Sequence, residues 1–322
     1  MNLNKISAPV KSELQEFQKQ FSGVLKSNVA LIDIITRYIL RQKGKKIRPI
    51  LVLLCAKLCG KINRRSYIAA NLVELLHTAT LIHDDVVDDA KMRRGLPSIN
   101  AVWKNKASVL IGDFLLSKGL LVSLDNNEFE FLKITSEAVR RMSEGELLQI
   151  QKARNFDATE ETYFQVIKDK TASLIQTCCR LGAFSATDDK KAIEKAGVFG
   201  ESTGIAFQLR DDLLDYTGRK KLLGKSTGND LKEKKFTLPL IVSLRNAPAK
   251  HSRDIMKLIK SDSAKKFDSV YYFVAQNGGI EYTKEKIDRY TTTAVKALEY
   301  FDDSESKSSL LELVQFLSVR EY

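Results

Sequence analysis

Asp84-Asp85-x-x-Asp88 and Asp211-Asp212-x-x-Asp215 repeat one spacing of carboxylates at two distant points of this chain. On a helix of about 3.6 residues per turn, the first and last aspartates of each pentad share a face. Asp89 adds a further carboxylate to the first cluster, and Arg93 and Arg94 follow closely. On a solvated surface such clusters would be a bland acidic patch. Here each closes an apolar run: LVELLHTATLIHDDVVDDAKMRRG from Leu72 to Gly95, and FQLRDDLLD from Phe207 to Asp215. Carboxylates at the end of a buried helix are costly without a cation. Hard oxygen donors so arranged suit Mg2+, which keeps coordination positions for water and substrate phosphate. The expected chemistry is a Mg2+ site gripping a diphosphate, with the two pentads facing each other and basic residues completing the neutralisation.

The elements that must carry these groups are predicted to be helices throughout, with no period-two strand. Val10 to Gly23 and Asn28 to Arg41 read as amphipathic helices, the second capped by Asn28. A loop with Gly44, Lys45, Lys46 and Arg48 enters a helix that starts at Pro49 and ends at Gly60. Asn63 is the expected cap of the helix bearing the first pentad, and Gly95 and Pro97 break the chain after it. One helix then reaches the turn at Asp125-Asn126-Asn127, and another runs to about Arg154. Asp157 or Thr159 starts the next, to Gly182, and Thr187-Asp188-Asp189 caps the helix of the second pentad. Tyr216 to Lys235, rich in glycine and lysine, is expected to be a mobile loop. About four more helices follow from Thr237-Leu238-Pro239. Nothing resembling a linker divides residues 1–322, so one all-α domain is expected.

The chain has 322 residues, 43% of them hydrophobic and 29% charged, with a net charge of +12. That balance suits a polyanionic partner. The basic residues are dispersed and carry no zinc-finger or RNA-binding pattern, so no nucleic acid is expected. Cys55, Cys59, Cys178 and Cys179 form no C-x-x-C pair and lie in apolar runs, as buried thiols of a reducing cytoplasm would. No membrane-spanning run or secretory leader is read, so the expected location is cytoplasmic.

Taken in order, these residues resemble the trans-isoprenyl diphosphate synthases, especially the long-chain polyprenyl members of octaprenyl type. The shared elements begin with G-K-K-x-R-P at Gly44 to Pro49, H-x-x-x-x-x-H-D-D-x-x-D at His77 to Asp88, and R-R-G at Arg93 to Gly95. They continue with Gln149, Lys170-Thr171, F-Q-x-x-D-D-x-x-D at Phe207 to Asp215, Lys225, and Lys235-Phe236-Thr237-Leu238-Pro239. Together they span nearly the whole chain. Lys43 and Lys234 depart from the pattern where glycines are usual.

The resemblance implies an all-α helical bundle of isoprenoid synthase type with a central apolar cavity. It implies that an allylic diphosphate ionises, that the double bond of isopentenyl diphosphate attacks the cation, and that a proton is then lost. Asp84, Asp88, Asp211 and Asp215 would ligate about two or three Mg2+ ions on the allylic diphosphate, acting as Lewis acid and template. Asp85 and Asp212 would be ligands or supports behind them. Lys45, Arg48, His77 and Arg94 would bind the isopentenyl diphosphate. Arg93, Lys170, Lys225 and Lys235 would hold the allylic diphosphate, with Gln208 and Thr171 near its reacting end. The loop from Tyr216 to Lys235 would close over both substrates. A homodimer, with peripheral membrane contact for product release, is also implied.

Read singly, many of these are ordinary residues: His77 a core histidine, Lys45, Lys46, Arg48, Lys225 and Lys235 loop charges, Gln149 helix surface. His83 is read as structural. Ala79 and Thr80 are small where shorter-chain relatives place an aromatic, so the product should grow past that level. A helical turn is about 5.4 Å, close to one extended isoprene unit, and the implied product is octaprenyl-like, roughly C35–C50. Its floor is expected on the helix around Phe114 to Val122. The competing readings are a farnesyl or geranylgeranyl synthase, a terpene cyclase of the same fold, and a non-catalytic subunit. Both pentads are whole, which argues against the last.

Overall fold

A computed structural model describes residues 3–42, 44–155, 159–217, 235–261 and 266–318. The chain divides into two compact units, each assembled from separated stretches: Met1–Val139, Thr177–Gly197 and Tyr300–Leu310 in the first, and Arg140–Gln176, Val198–Glu299 and Leu311–Tyr322 in the second. Both are built of helices.

In the first unit the helices are α1 (Leu3–Ile6), α2 (Lys11–Val24), α3 (Ala30–Arg41), α4 (Ile47–Cys59), α5 (Arg64–Val87) and α6 (Ile99–Leu124), with the start of α7 (Phe129–Asn155). α5 is the organising element. Asn63 caps it as expected: its Oδ1 accepts from the Arg65 amide at 2.8 Å, and Ser66 completes a reciprocal capping box. The Asn63 side-chain amide also donates to the Ser185 carbonyl at 2.8 Å. α6 lies close along α5 because Gly119 brings its backbone against Leu72, Leu75 and Leu76. α4 is buried continuously from Pro49 to Ala56. Gly182 lets α9 (Ser173–Ala186) approach the Val52 carbonyl of α4, where a Cβ would collide.

Three expectations change here. Val29, not Asn28, occupies the cap of α3, with its amide donating to Ser27 Oγ at 3.2 Å. A two-stranded antiparallel ribbon, Met92–Arg93 against Leu96–Pro97, follows α5. Arg94 (φ 52°) and Gly95 (φ 79°) form its turn, the left-handed pair that tight hairpins require. Strands this short leave no alternation to read. Finally, α6 is long and apolar enough to cross a membrane by length and composition, with a mean hydropathy of 1.6 over its most apolar 18 residues, although Lys104, Lys106, Asp113 and Lys118 interrupt the helix.

In the second unit, α8 (Glu160–Ile167) passes through a π-helical turn, Lys168–Ala172, into α9, and α10 (Lys190–Thr217) carries the second pentad. Thr159 caps α8, accepting from the Thr162 amide at 3.2 Å. Asp157 and most of the glycine- and lysine-rich loop, Lys225 included, lie outside the described residues. After it come α11 (Leu238–Asn246), α12 (Ala249–Lys260), α13 (Lys266–Gln276), α14 (Gly279–Leu298) and α15 (Glu305–Ser318). Leu209, Leu213, Leu238, Leu240, Val270 and Val274 form the heart of the core. Gly279 allows α14 to start directly against the Pro239 carbonyl.

The four cysteines are free thiols, with Cys55, Cys178 and Cys179 fully buried. Burial pushes Cys59 and Cys178 up to about 12, so they are packing groups and not nucleophiles.

Candidate active site

In both pentads the second aspartate turns inward and the outer two remain more open. Asp85 is 2% exposed and accepts from Arg93 Nε at 2.8 Å and from Arg93 Nη2. Asp212 is 5% exposed and accepts from the Tyr163 hydroxyl at 2.6 Å and Gln208 Nε2 at 2.7 Å. Asp84 and Asp215 are partly exposed, and Asp88 and Asp211 exposed. Helical rotation accounts for this: positions one and five share a face, and position two is turned about 100° from it.

Both pentads occupy helix C-termini. Asp84 and Asp85 lie in the last turn of α5 and Asp88 is its C-cap; Asp211, Asp212 and Asp215 lie in the last two turns of α10. Neither helix has a basic residue in its last turn. A helix C-terminus already carries about half a negative charge, so carboxylates there gain strongly from a cation. The outer aspartates are hard oxygen donors, a set whose chemistry fits Mg2+. Among the described residues, no group of three or more His, Cys, Asp and Glu side chains is gathered closely enough to hold a metal ion.

Within the first unit a basic cavity is lined in part by Gly44, Lys46, Glu74, Thr78, Asp85, Arg93 and Arg94. Gly44 makes room for the Arg94 guanidinium, which a Cβ would strike. Lys46 is held in the left-handed conformation (φ 49°) at the start of α4. Arg48, the second residue of that helix, has a buried Nε with no hydrogen-bond partner. His77 is buried on α5; burial, then the charges of Arg48, Arg94 and Arg93, hold it well below the usual imidazole range, so it is neutral. The structure thus gathers Arg48, His77, Arg93 and Arg94. Lys45 is exposed and is not part of the lining; Lys46 takes that place. Glu74 is the residue sequence reasoning missed, although it is the lone acid in the apolar run before Asp84. His83 packs on α6, its Nε2 3.3 Å from the Val109 carbonyl, in a structural role.

Within the second unit another cavity is lined by residues that include Gln149, Lys170, Thr171, Gln208, Asp212 and Lys235, all six named from the sequence. The π-helical turn sets Lys170 and Thr171 on its wall. Asp169 braces the turn, accepting from Arg141 Nε at 2.7 Å and from Gln165. Lys170 Nζ donates to Gln149 Oε1 at 3.0 Å and pairs with Glu146. Thr171 Oγ1 donates to Gln208 Oε1 at 2.9 Å, so Thr171, Gln208, Asp212 and Tyr163 form one hydrogen-bonded chain. Tyr163 went unread because it reaches Asp212 from a different helix. Ala79 is fully buried and Thr80 partly exposed, its hydroxyl donating to the His77 carbonyl at 3.0 Å.

The polyprenyl synthetase family pattern matches residues 29–275. The chain belongs to that family. It is 36% identical over 313 residues to the geranyl-diphosphate-specific all-trans-nonaprenyl-diphosphate synthase of Rhodobacter capsulatus, covering 96% of this chain and 95% of that one. It is 34% identical to the octaprenyl diphosphate synthase of Escherichia coli over the full length of both. The crystal structure of a polyprenyl synthase from Caulobacter crescentus, complexed with calcium and isoprenyl diphosphate, superposes with a TM-score of 0.89 at 30% identity, covering 99% of this chain and 98% of that one. The polyprenyl synthetase chain therefore has the all-α architecture of these enzymes.

Proposed function

We propose that this polyprenyl synthetase is a long-chain all-trans polyprenyl diphosphate synthase, adding isopentenyl diphosphate units to an allylic diphosphate primer. The observation that carries the reading is the shared design of the two pentads: an inner aspartate locked by hydrogen bonds and outer aspartates at a helix C-terminus without basic residues. Similarity to octaprenyl and nonaprenyl synthases supports the long product.

Asp84, Asp88, Asp211 and Asp215 would hold Mg2+, which when bound supplies Lewis-acid stabilisation of the departing diphosphate. Lys170 and Lys235 add point charges for the allylic diphosphate, and Arg93 orients Asp85 beside it. Thr171 and Gln208 lie on the same wall. Arg48, Arg94, His77 and Lys46 serve the isopentenyl diphosphate, Arg48 and Arg94 through forked phosphate contacts. By family resemblance alone, Lys45 serves the isopentenyl diphosphate and Lys225 the allylic diphosphate. The proton lost after condensation goes to the departing diphosphate.

The enzyme works as a cytoplasmic homodimer and supplies a quinone side chain, releasing product at a membrane surface. Val102, Val109, Leu110, Leu120, Leu121 and Leu124 of α6 are exposed, which supports a second copy covering this helix. Sedimentation equilibrium at twice the chain mass is expected, and a monomer would refute the dimer. The activity test is chromatography of the product made by the purified chain from labelled isopentenyl diphosphate and an allylic primer. A long polyprenyl diphosphate is expected, shortened by Ala79→Phe; an unchanged product from that variant would remove Ala79 from length control.

A further inference from the structure

Glu74 lies on α5 three residues before His77, and its side chain lines the basic cavity of the first unit. The charge on its walls comes from the start of α4, the ribbon and α5, while α2, α3 and α6 contribute only uncharged residues. Lys46 comes from the start of α4, Arg93 and Arg94 from the ribbon and Asp85 from α5 itself; Arg48 and His77 are not on the lining but lie within electrostatic reach, Arg48 of Glu74 and His77 of Arg94. Two of these groups are already accounted for: Arg93 is tied to Asp85, and His77 is neutral. Lys46, Arg48 and Arg94 remain, with Glu74 as the carboxylate facing them. Yet none of the three forms an ion pair with it among the described residues. Arg48 Nε and Gln42 Nε2 are buried there without acceptors. A cavity with Lys46 and Arg94 on its wall, Arg48 within electrostatic reach, spare buried donors and a carboxylate ion-paired to none of the three is arranged for a further anion.

We propose that Glu74 is a proton-linked counter-ion for isopentenyl diphosphate. In the empty cavity its carboxylate balances Lys46, Arg48 and Arg94. When the diphosphate takes over those cations, Glu74 takes up a proton from solvent. This rests on the reading that the cavity receives isopentenyl diphosphate. The direction follows from opposing effects on the Glu74 carboxyl: burial raises it, and Arg48, Arg94 and Lys46 pull it back. A bound polyanion cancels the pull and leaves the burial. The bound-state carboxyl therefore holds its proton more tightly than the free-state one, so binding takes up a proton. Affinity is greatest below the free-state value, weakens as pH rises from there to the bound-state value, and is lowest above it. Glu74 thereby shapes selectivity too, because the charged carboxylate repels any anion too weak to claim all three cations.

The test is calorimetric titration of isopentenyl diphosphate alone onto the full-length protein, in two buffers of different ionisation enthalpy near neutral pH. Protons taken up are counted for the wild type and for Glu74→Gln. The wild type is expected to take up more protons than the variant, and Glu74→Gln to bind severalfold tighter than wild type on the alkaline side, with a flatter pH dependence. Comparing the two cancels protonation of His77 and of the diphosphate itself. Equal counts with binding intact would overturn the proposal. Absence of binding by a folded wild type would instead overturn the assignment of the cavity to isopentenyl diphosphate. Should Glu74→Gln fail to fold, the wild type decides: a dissociation constant independent of pH across the neutral and alkaline range overturns the linkage.

Discussion

At the scale of single residues, the pentads separate into two tasks. Asp85 and Asp212 are anchored, one by a guanidinium and the other by a phenol and an amide, while their outer neighbours on the more open face are the ones placed to meet a cation. A hydrogen bond to a charged group contributes about 1.5–3 kcal/mol, so Tyr163→Phe is expected to destabilise the protein by about that amount and to lower kcat/KM on the order of 10-fold as Asp212 loses its anchor. Steady-state kinetics beside a thermal melt checks this, and unchanged kinetics would remove Tyr163 from the site. The sequence made the aspartates legible because their spacing is local. Tyr163 was invisible because its partner lies 49 positions away. Lys45 and Lys46 show the complementary limit: adjacent lysines cannot be told apart by type, and only the left-handed backbone at Lys46 decides which one faces the cavity.

At the scale of elements, α5 and α10 deliver acids to helix ends where the backbone already carries negative charge. For α5 that conflict is offset by the capping box at its other end. Asn63→Ala removes a capping box and a tie to Ser185, and is expected to destabilise by about 1 kcal/mol and lower the melting temperature by roughly 2–4 °C. Differential scanning calorimetry tests it, and an unshifted melt would show the cap to be dispensable. Helix starts such as Asn63 and Thr159 were readable because capping chemistry is local. The ribbon after Asp89 was not, since strands of two residues carry no periodicity. The π-helical turn at Lys168–Ala172 was equally silent, being held by Arg141 of another helix.

At the scale of the molecule, chemistry gathers in one cavity within each unit: a basic one around Lys46, Arg48 and Arg94, and one around Lys170, Gln208 and Asp212. The long apolar helix α6, expected from the sequence to carry the product floor around Phe114 to Val122, exposes much of its length. A pattern of apolar residues does not tell a face turned to the core from one covered by another molecule. The most direct measurement is a Mg2+ titration of condensation activity in the wild type, Asp88→Asn and Asp215→Asn. Activity in the wild type is expected to require Mg2+. Each variant is expected to need more of it and to lose kcat/KM on the order of 100-fold. Full activity without a divalent cation, or aspartate variants with unaltered Mg2+ dependence, would contradict the account.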